Sequence, residues 1–149
     1  MSEVGFYHLT KWPLETALPR LLERVLGAGR RVVLLAPSKE RVEDLTIHLW
    51  TYDAGSWLPH GSARDGHGED QPVYLTDTEE APNGADVLVV VEGMRPDFAG
   101  QFERVLDLFS GRDEDAVAAA RERWRHYQAA GHQLTYWQQT DSGGWQQRQ

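Results

Sequence analysis

The stretches Arg31-Val32-Val33-Leu34-Leu35-Ala36 and Asp86-Val87-Leu88-Val89-Val90-Val91 decide the fold class. Both are continuous apolar runs of strand length, without the polar alternation of a strand that keeps one face in water. Such runs belong to strands covered on both sides, as in a parallel sheet sandwiched between helices. Directly after the first run, Ser38 is a good N-cap. Val42, Leu45, Leu49 and Trp50 then lay an apolar stripe along a helix over 40–50.

Working outward, residues 5–10 read as a short aromatic strand. Pro13 opens a helix whose Leu14, Ala17, Leu18, Leu21, Leu22, Val25 and Leu26 recur every three or four residues, and Gly27 and Gly29 end it. Residues 53–71, rich in Gly, Asp and His, read as a loop, and 73–76 as another short strand. Residues 98–109 read as a helix through Phe102, Val105, Leu106 and Phe109, running into a short strand near Leu108. The acidic segment 110–113 caps the longest helix, which ends near Gly131. A last strand is expected over 134–137 and a polar tail over 142–149. This alternation implies an α/β domain over 1–141, an open, mostly parallel sheet with helices on both faces, followed by the tail 142–149.

The composition is that of one globular domain: 149 residues, 40% hydrophobic and 26% charged. The absence of cysteine excludes a disulfide scaffold, a thiolate metal site and a cysteine nucleophile. No run approaches the roughly 18 apolar residues of a membrane span. The start, Met1-Ser2-Glu3-Val4, has no basic and apolar leader, so a cytoplasmic location without membrane contact is expected. A net charge of −8 argues against broad, non-specific affinity for nucleic acid. Lys11 and Lys39 are the only lysines; the other cations are arginines, the better partners for carboxylates.

No catalytic constellation stands out. The turns after the first two strands, 10–13 and 36–40, lack the glycine that lets a phosphate approach the backbone, and no G-x-x-x-x-G-K-[ST] occurs. A nucleotide site, and any other cofactor, is therefore not expected. His60, His67, Glu69 and Asp70 gather in one loop, but their spacing matches no metal motif, and a solvated loop is the expectation. No serine lies in a G-x-S-x-G turn. Glu79-Glu80 and Asp113-Glu114-Asp115 sit where turns and caps use acid anyway.

The aromatic residues say more. They cluster around 50–60 and 124–137, and Trp57, in a loop, is placed where large apolar groups serve contact surfaces. On the long helix, about 100° per residue puts Ala116, Val117, Ala120, Trp124 and Tyr127 on the buried side. Arg121, Arg125 and Gln128 line its flank, with Arg123 also toward that end. An apolar groove edged by arginines on an acidic protein suits an acidic peptide with an apolar end.

Phe6-Tyr7-His8-Leu9, RVVLLAPSKERVEDLTIHLW (31–50), GSWLPHG (55–61), PNGADVLVVVEG (82–93) and RERWRHYQAAGHQLTYWQ (121–138) together resemble the chi subunit of bacterial DNA polymerase III. The resemblance runs from about Phe6 to Trp137. It implies a Rossmann-like fold without a nucleotide, and an accessory subunit of a DNA-directed DNA polymerase with no catalytic site of its own. It also implies two partners: the psi subunit, bound one-to-one and joined to the clamp loader, and the acidic C-terminal tail of single-stranded-DNA-binding protein. DNA is then reached only indirectly. The tail contact of the family falls here on Arg121, Trp124 and Arg125, with Gln128 where some chi proteins carry another cation. The psi contact falls on Trp50 and Trp57, beside Pro59, and a helicase-like repair protein can use the same surface. Residues 32–49 also resemble a strand–helix unit of superfamily 2 helicases. The alternative reading is a stand-alone remnant of such an ATP-driven enzyme, against which the missing P-loop counts.

Overall fold

The computed structural model describes residues 2–52 and 59–149. Among these, the elements run β1 (Glu3–Leu9), α1 (Leu14–Gly27), β2 (Val32–Leu35), α2 (Lys39–Thr51), β3 (His60–Ser62), β4 (Val73–Thr76) and β5 (Val87–Val91). They continue with β6 (Arg104–Ser110), α3 (Glu114–Ala129), β7 (Gln133–Gln139) and β8 (Trp145–Gln147). The strands form one open sheet in the order β3-β4-β2-β5-β6-β1-β7-β8. Every pairing is parallel except that of β8, which runs antiparallel to β7.

The two deciding runs behave as buried central strands must. Val32 and Leu34 of β2, with Val87, Val89 and Val91 of β5, face the layer of α1 and α2. Val33, Leu35, Leu88 and Val90 face the opposite layer, which holds α3 and the 3-10 turn Asp97–Gln101. The caps also follow local chemistry. The Ser38 hydroxyl accepts the Arg41 N–H at 3.1 Å, and the Asp113 carboxylate accepts the Asp115 N–H at 2.9 Å. Each satisfies a backbone donor that the first helical turn leaves without an intrahelical partner. At the end of α1, Gly29 adopts a φ of 79°, the left-handed conformation that terminates helices at little cost to glycine.

Three local expectations need correction. Residues 98–109 are not a helix: a 3-10 turn gives way to the seven-residue strand β6, between β5 and β1. The helical spacing of Phe102, Val105, Leu106 and Phe109 is coincidental, because β6 buries both faces, Leu106 and Leu108 on one side, Val105 and Phe109 on the other. Its central Asp107 breaks the apolar run that would have marked a buried strand. Within the expected loop 53–71, residues 60–62 pair with β4 as an edge strand. The polar tail is not wholly irregular either, since Trp145–Gln147 pairs with β7.

Candidate functional site

Helix α3 lies across β6, β1 and β7 and does not fill the space above them. A pocket of about 340 Å³ remains beside it, floored by side chains of all three strands: Phe6 and His8 from β1, Phe109 from β6 and Tyr136 from β7. Val117, Ala120, Arg121, Trp124 and Arg125 of α3 form its other wall. Phe6 and Tyr136 occupy paired positions of β1 and β7, so the floor exists only because those strands are in this register.

Trp124 packs on Phe6, ring centroids 5.4 Å apart, and Phe6 meets Phe109 edge-on at 6.4 Å. His8 stacks on Phe109 at 4.7 Å, and its Nδ1 shares a hydrogen bond of 2.6 Å with the Tyr136 hydroxyl. Burial lowers the His8 pKa below the ordinary imidazole value, so this edge of the floor is neutral near pH 7. Burial pushes the Tyr136 hydroxyl up, while the charges of Arg148 and Arg121 pull against it.

The positive charge sits on the rim. Arg121 is exposed and has no carboxylate partner among the described residues. Arg125 is exposed as well, and its guanidinium donates to Glu122 one turn earlier on the same helix. An apolar, aromatic floor with one uncommitted guanidinium at its edge can accept an apolar side chain and an anion together.

Of the sequence candidates, the structure brings Arg121, Trp124 and Arg125 to this pocket. Gln128 is exposed on the next turn and does not line it. Arg123, which sequence reading left among the helix-end cations, points into the core against Asp107. Phe6, His8, Phe109 and Tyr136 were missed because their convergence depends on strand order. The only local sign was aromatic residues on strands flanking the long helix.

The other cluster lies at the opposite end of the sheet. Trp50, on the last turn of α2, is 54% exposed, and Ile47 is 62% exposed. The Trp50 ring lies 4.4 Å from that of His60, whose Nε2 is 2.9 Å from the Thr46 carbonyl, and Pro59 is half-buried just before β3. Trp57 lies outside the described residues. His60 is thus drawn into the sheet edge, away from the other members of its loop cluster. His67, Glu69 and Asp70 stay exposed, with ligand-capable atoms within 4.8 Å of one another. Among the described residues, no helix is long and apolar enough to cross a membrane.

The family model described as DNA polymerase III chi subunit, HolC, matches residues 1–135. The probable DNA polymerase III subunit chi of Rickettsia prowazekii (strain Madrid E) is 34% identical over 91 residues, 61% of this chain and 55% of that protein. The match therefore spans little more than half of that relative's length. The DNA polymerase III subunit chi of Escherichia coli (strain K12) is 29% identical over 108 residues, 72% of this chain and 73% of that protein. With the family model covering nearly the whole sheet and its helices, the chain belongs to the DNA polymerase III chi subunit family.

Proposed function

We propose that the chain is a non-catalytic accessory subunit in DNA replication that bridges two partners. One is a psi subunit of the clamp-loader complex; the other is the acidic C-terminal tail of single-stranded-DNA-binding protein. The observation that carries this reading is the α3 pocket, in which an aromatic floor and the uncommitted Arg121 lie side by side. A peptide ending in an apolar residue with a free carboxylate fits both features. Its side chain enters against Trp124 and Phe6, and its anions meet Arg121 and Arg125. The net charge of −8 disfavours broad, non-specific binding of polyanions.

The psi contact is assigned to Trp50, Trp57 and Pro59, and the exposure of Trp50 and Ile47 on one helix supports an interface there. A helicase-like repair protein is the alternative occupant of that surface. Strands β3 and β1 are five spacings apart in the sheet, about 24 Å at the usual strand separation, so both partners can be held at once. Titration of a labelled tail peptide, with and without psi bound, tests the bridge. Independent binding of the two is expected, and mutual exclusion would overturn it.

A further inference from the structure

The α1 side of the sheet carries a second aromatic feature, away from the α3 pocket. Tyr7 of β1 pairs with Trp137 of β7, and Gln139 of β7 pairs with Trp145 of β8, which puts all three rings on one face. The Tyr7 and Trp137 rings are parallel within 3°, their centroids 5.9 Å apart, and Trp145 meets Tyr7 edge-on at 5.0 Å. The Trp137 indole N–H donates to the Thr135 hydroxyl at 3.0 Å and so holds its ring in place. Gly5 makes the arrangement possible, since a Cβ there would lie 2.9 Å from the Tyr7 ring. All three rings are half-buried; Tyr7 and Trp145 pack on one side against the core cluster that α1 covers, which leaves α1 at the edge of the ring surface.

Beside this cluster, Trp12 lies against the turn at Gly143, and the Arg20 guanidinium sits 4.5 Å above the Trp12 ring. Arg20 and Arg24, on successive turns of α1, line a groove of about 160 Å³ together with Trp12 and Trp145. Among the described residues neither has an ion-pair partner, whereas Arg30, Arg41, Arg64, Arg104, Arg123 and Arg125 all do. In a chain of net charge −8, two arginines without an ion-pair partner among the described residues, next to aromatic rings, make a local site for an anion that also has a flat, apolar part.

We propose that this face binds single-stranded DNA directly, with Arg20 and Arg24 on phosphates and Tyr7, Trp137 and Trp145 offering a surface to the bases. Sheet faces that combine aromatic side chains with cations bind single strands in this way, because unpaired bases expose flat faces and a duplex hides them. The contact adds to the indirect one made through a coated strand and does not rest on the tail-peptide reading. With two phosphates neutralised, the logarithm of affinity falls against that of salt concentration with a slope of about −1.4.

Anisotropy titrations of the full chain with a labelled oligo(dT) of about 15 nucleotides test this. Expected are binding with quenching of tryptophan fluorescence, that shallow salt slope, and a loss of about tenfold in the Arg20→Ala/Arg24→Ala double variant. Both positions are exposed, and an unchanged circular dichroism spectrum checks the fold. Trp145→Leu, which keeps apolar packing, should also weaken binding. No binding by the wild type would leave the face to a protein partner and overturn the proposal. Equal affinity of wild type and double variant, or equal affinity for a duplex or an abasic strand of the same length, would overturn it too.

Discussion

Arg123 clamps Asp107 inside the core: its Nε donates to Asp107 Oδ2 at 2.7 Å and its Nη2 to Oδ1 at 3.0 Å. Both side chains are buried, one on α3 and the other at the centre of β6. Burial pushes the Asp107 carboxyl up, and the two N–H donors of Arg123 hold it against that shift. The pair fixes how α3 is rotated on the sheet. With Arg123 turned inward, Trp124 reaches Phe6, and Arg121 and Arg125 fall on the pocket rim.

Breaking this clamp from one side should be costly. Asp107→Ala leaves a buried guanidinium without its partner and should destabilise the fold by about 3–5 kcal/mol. Replacing both residues by apolar ones, Asp107→Leu with Arg123→Met, should recover most of that loss, as read from urea midpoints. A single variant as stable as the wild type would show that the pair does not hold α3.

The rim arginines should not contribute equally to tail-peptide binding. Arg121→Ala should cost about 1.5–3 kcal/mol of affinity, the value of a hydrogen bond to a charged group. Arg125→Ala should cost less, because Arg125 already donates to Glu122. Gln128→Ala, outside the pocket, should leave affinity unchanged. Calorimetric titration of a tail peptide into the three variants checks the order, and amidating the peptide's C-terminus should mimic Arg121→Ala.

Acid should loosen the pocket floor before it reaches the carboxylates. Burial lowers the pKa of His8 and is the first cause of the lowering at His132, so the unfolded chain binds protons at a higher pH than the fold does. Stability contributed by these neutral rings is complete above about pH 6.5 and declines as pH falls below it, levelling off once the folded-state values are passed. Glu15 behaves in the same sense, in a lower pH range. Its bond to Arg41 lowers its pKa, so its contribution persists until pH falls below about 4.5. Denaturant unfolding between about pH 7.5 and pH 5.5 isolates the histidines, and His8→Asn should flatten the slope.

At the far end of the sheet, Trp50→Ala should weaken binding to a psi partner without lowering the melting temperature, because the ring is already more than half exposed. Trp57→Ala should weaken it by roughly thirtyfold, about 2 kcal/mol, if it is an anchor at the interface centre. Co-purification and thermal melts of the two variants separate an interface role from a loss of folding.

What the sequence determined by itself is what short-range pattern can carry. The runs 32–35 and 87–91 declare strands buried on both faces, Ser38 and Asp113 declare helix starts, and the spacing from Val117 to Tyr127 declares a helix with one apolar side. The groove candidates Arg121, Trp124 and Arg125 followed from that spacing, because residues three and four apart share a helix face whatever the helix packs on. What the tertiary structure decided is everything that depends on which strands are neighbours. Strand β6 has Asp107 in its middle, and a buried carboxylate is tolerable only when a guanidinium distant in sequence reaches it; no local pattern says that Arg123 will. The register of β1 between β6 and β7 brings Phe6, His8, Phe109 and Tyr136 under one helix, and the same register lines up Tyr7 with Trp137 on the opposite face. Pairing across a sheet is set by the packing of the whole domain, so those two surfaces come into being only when the chain is folded.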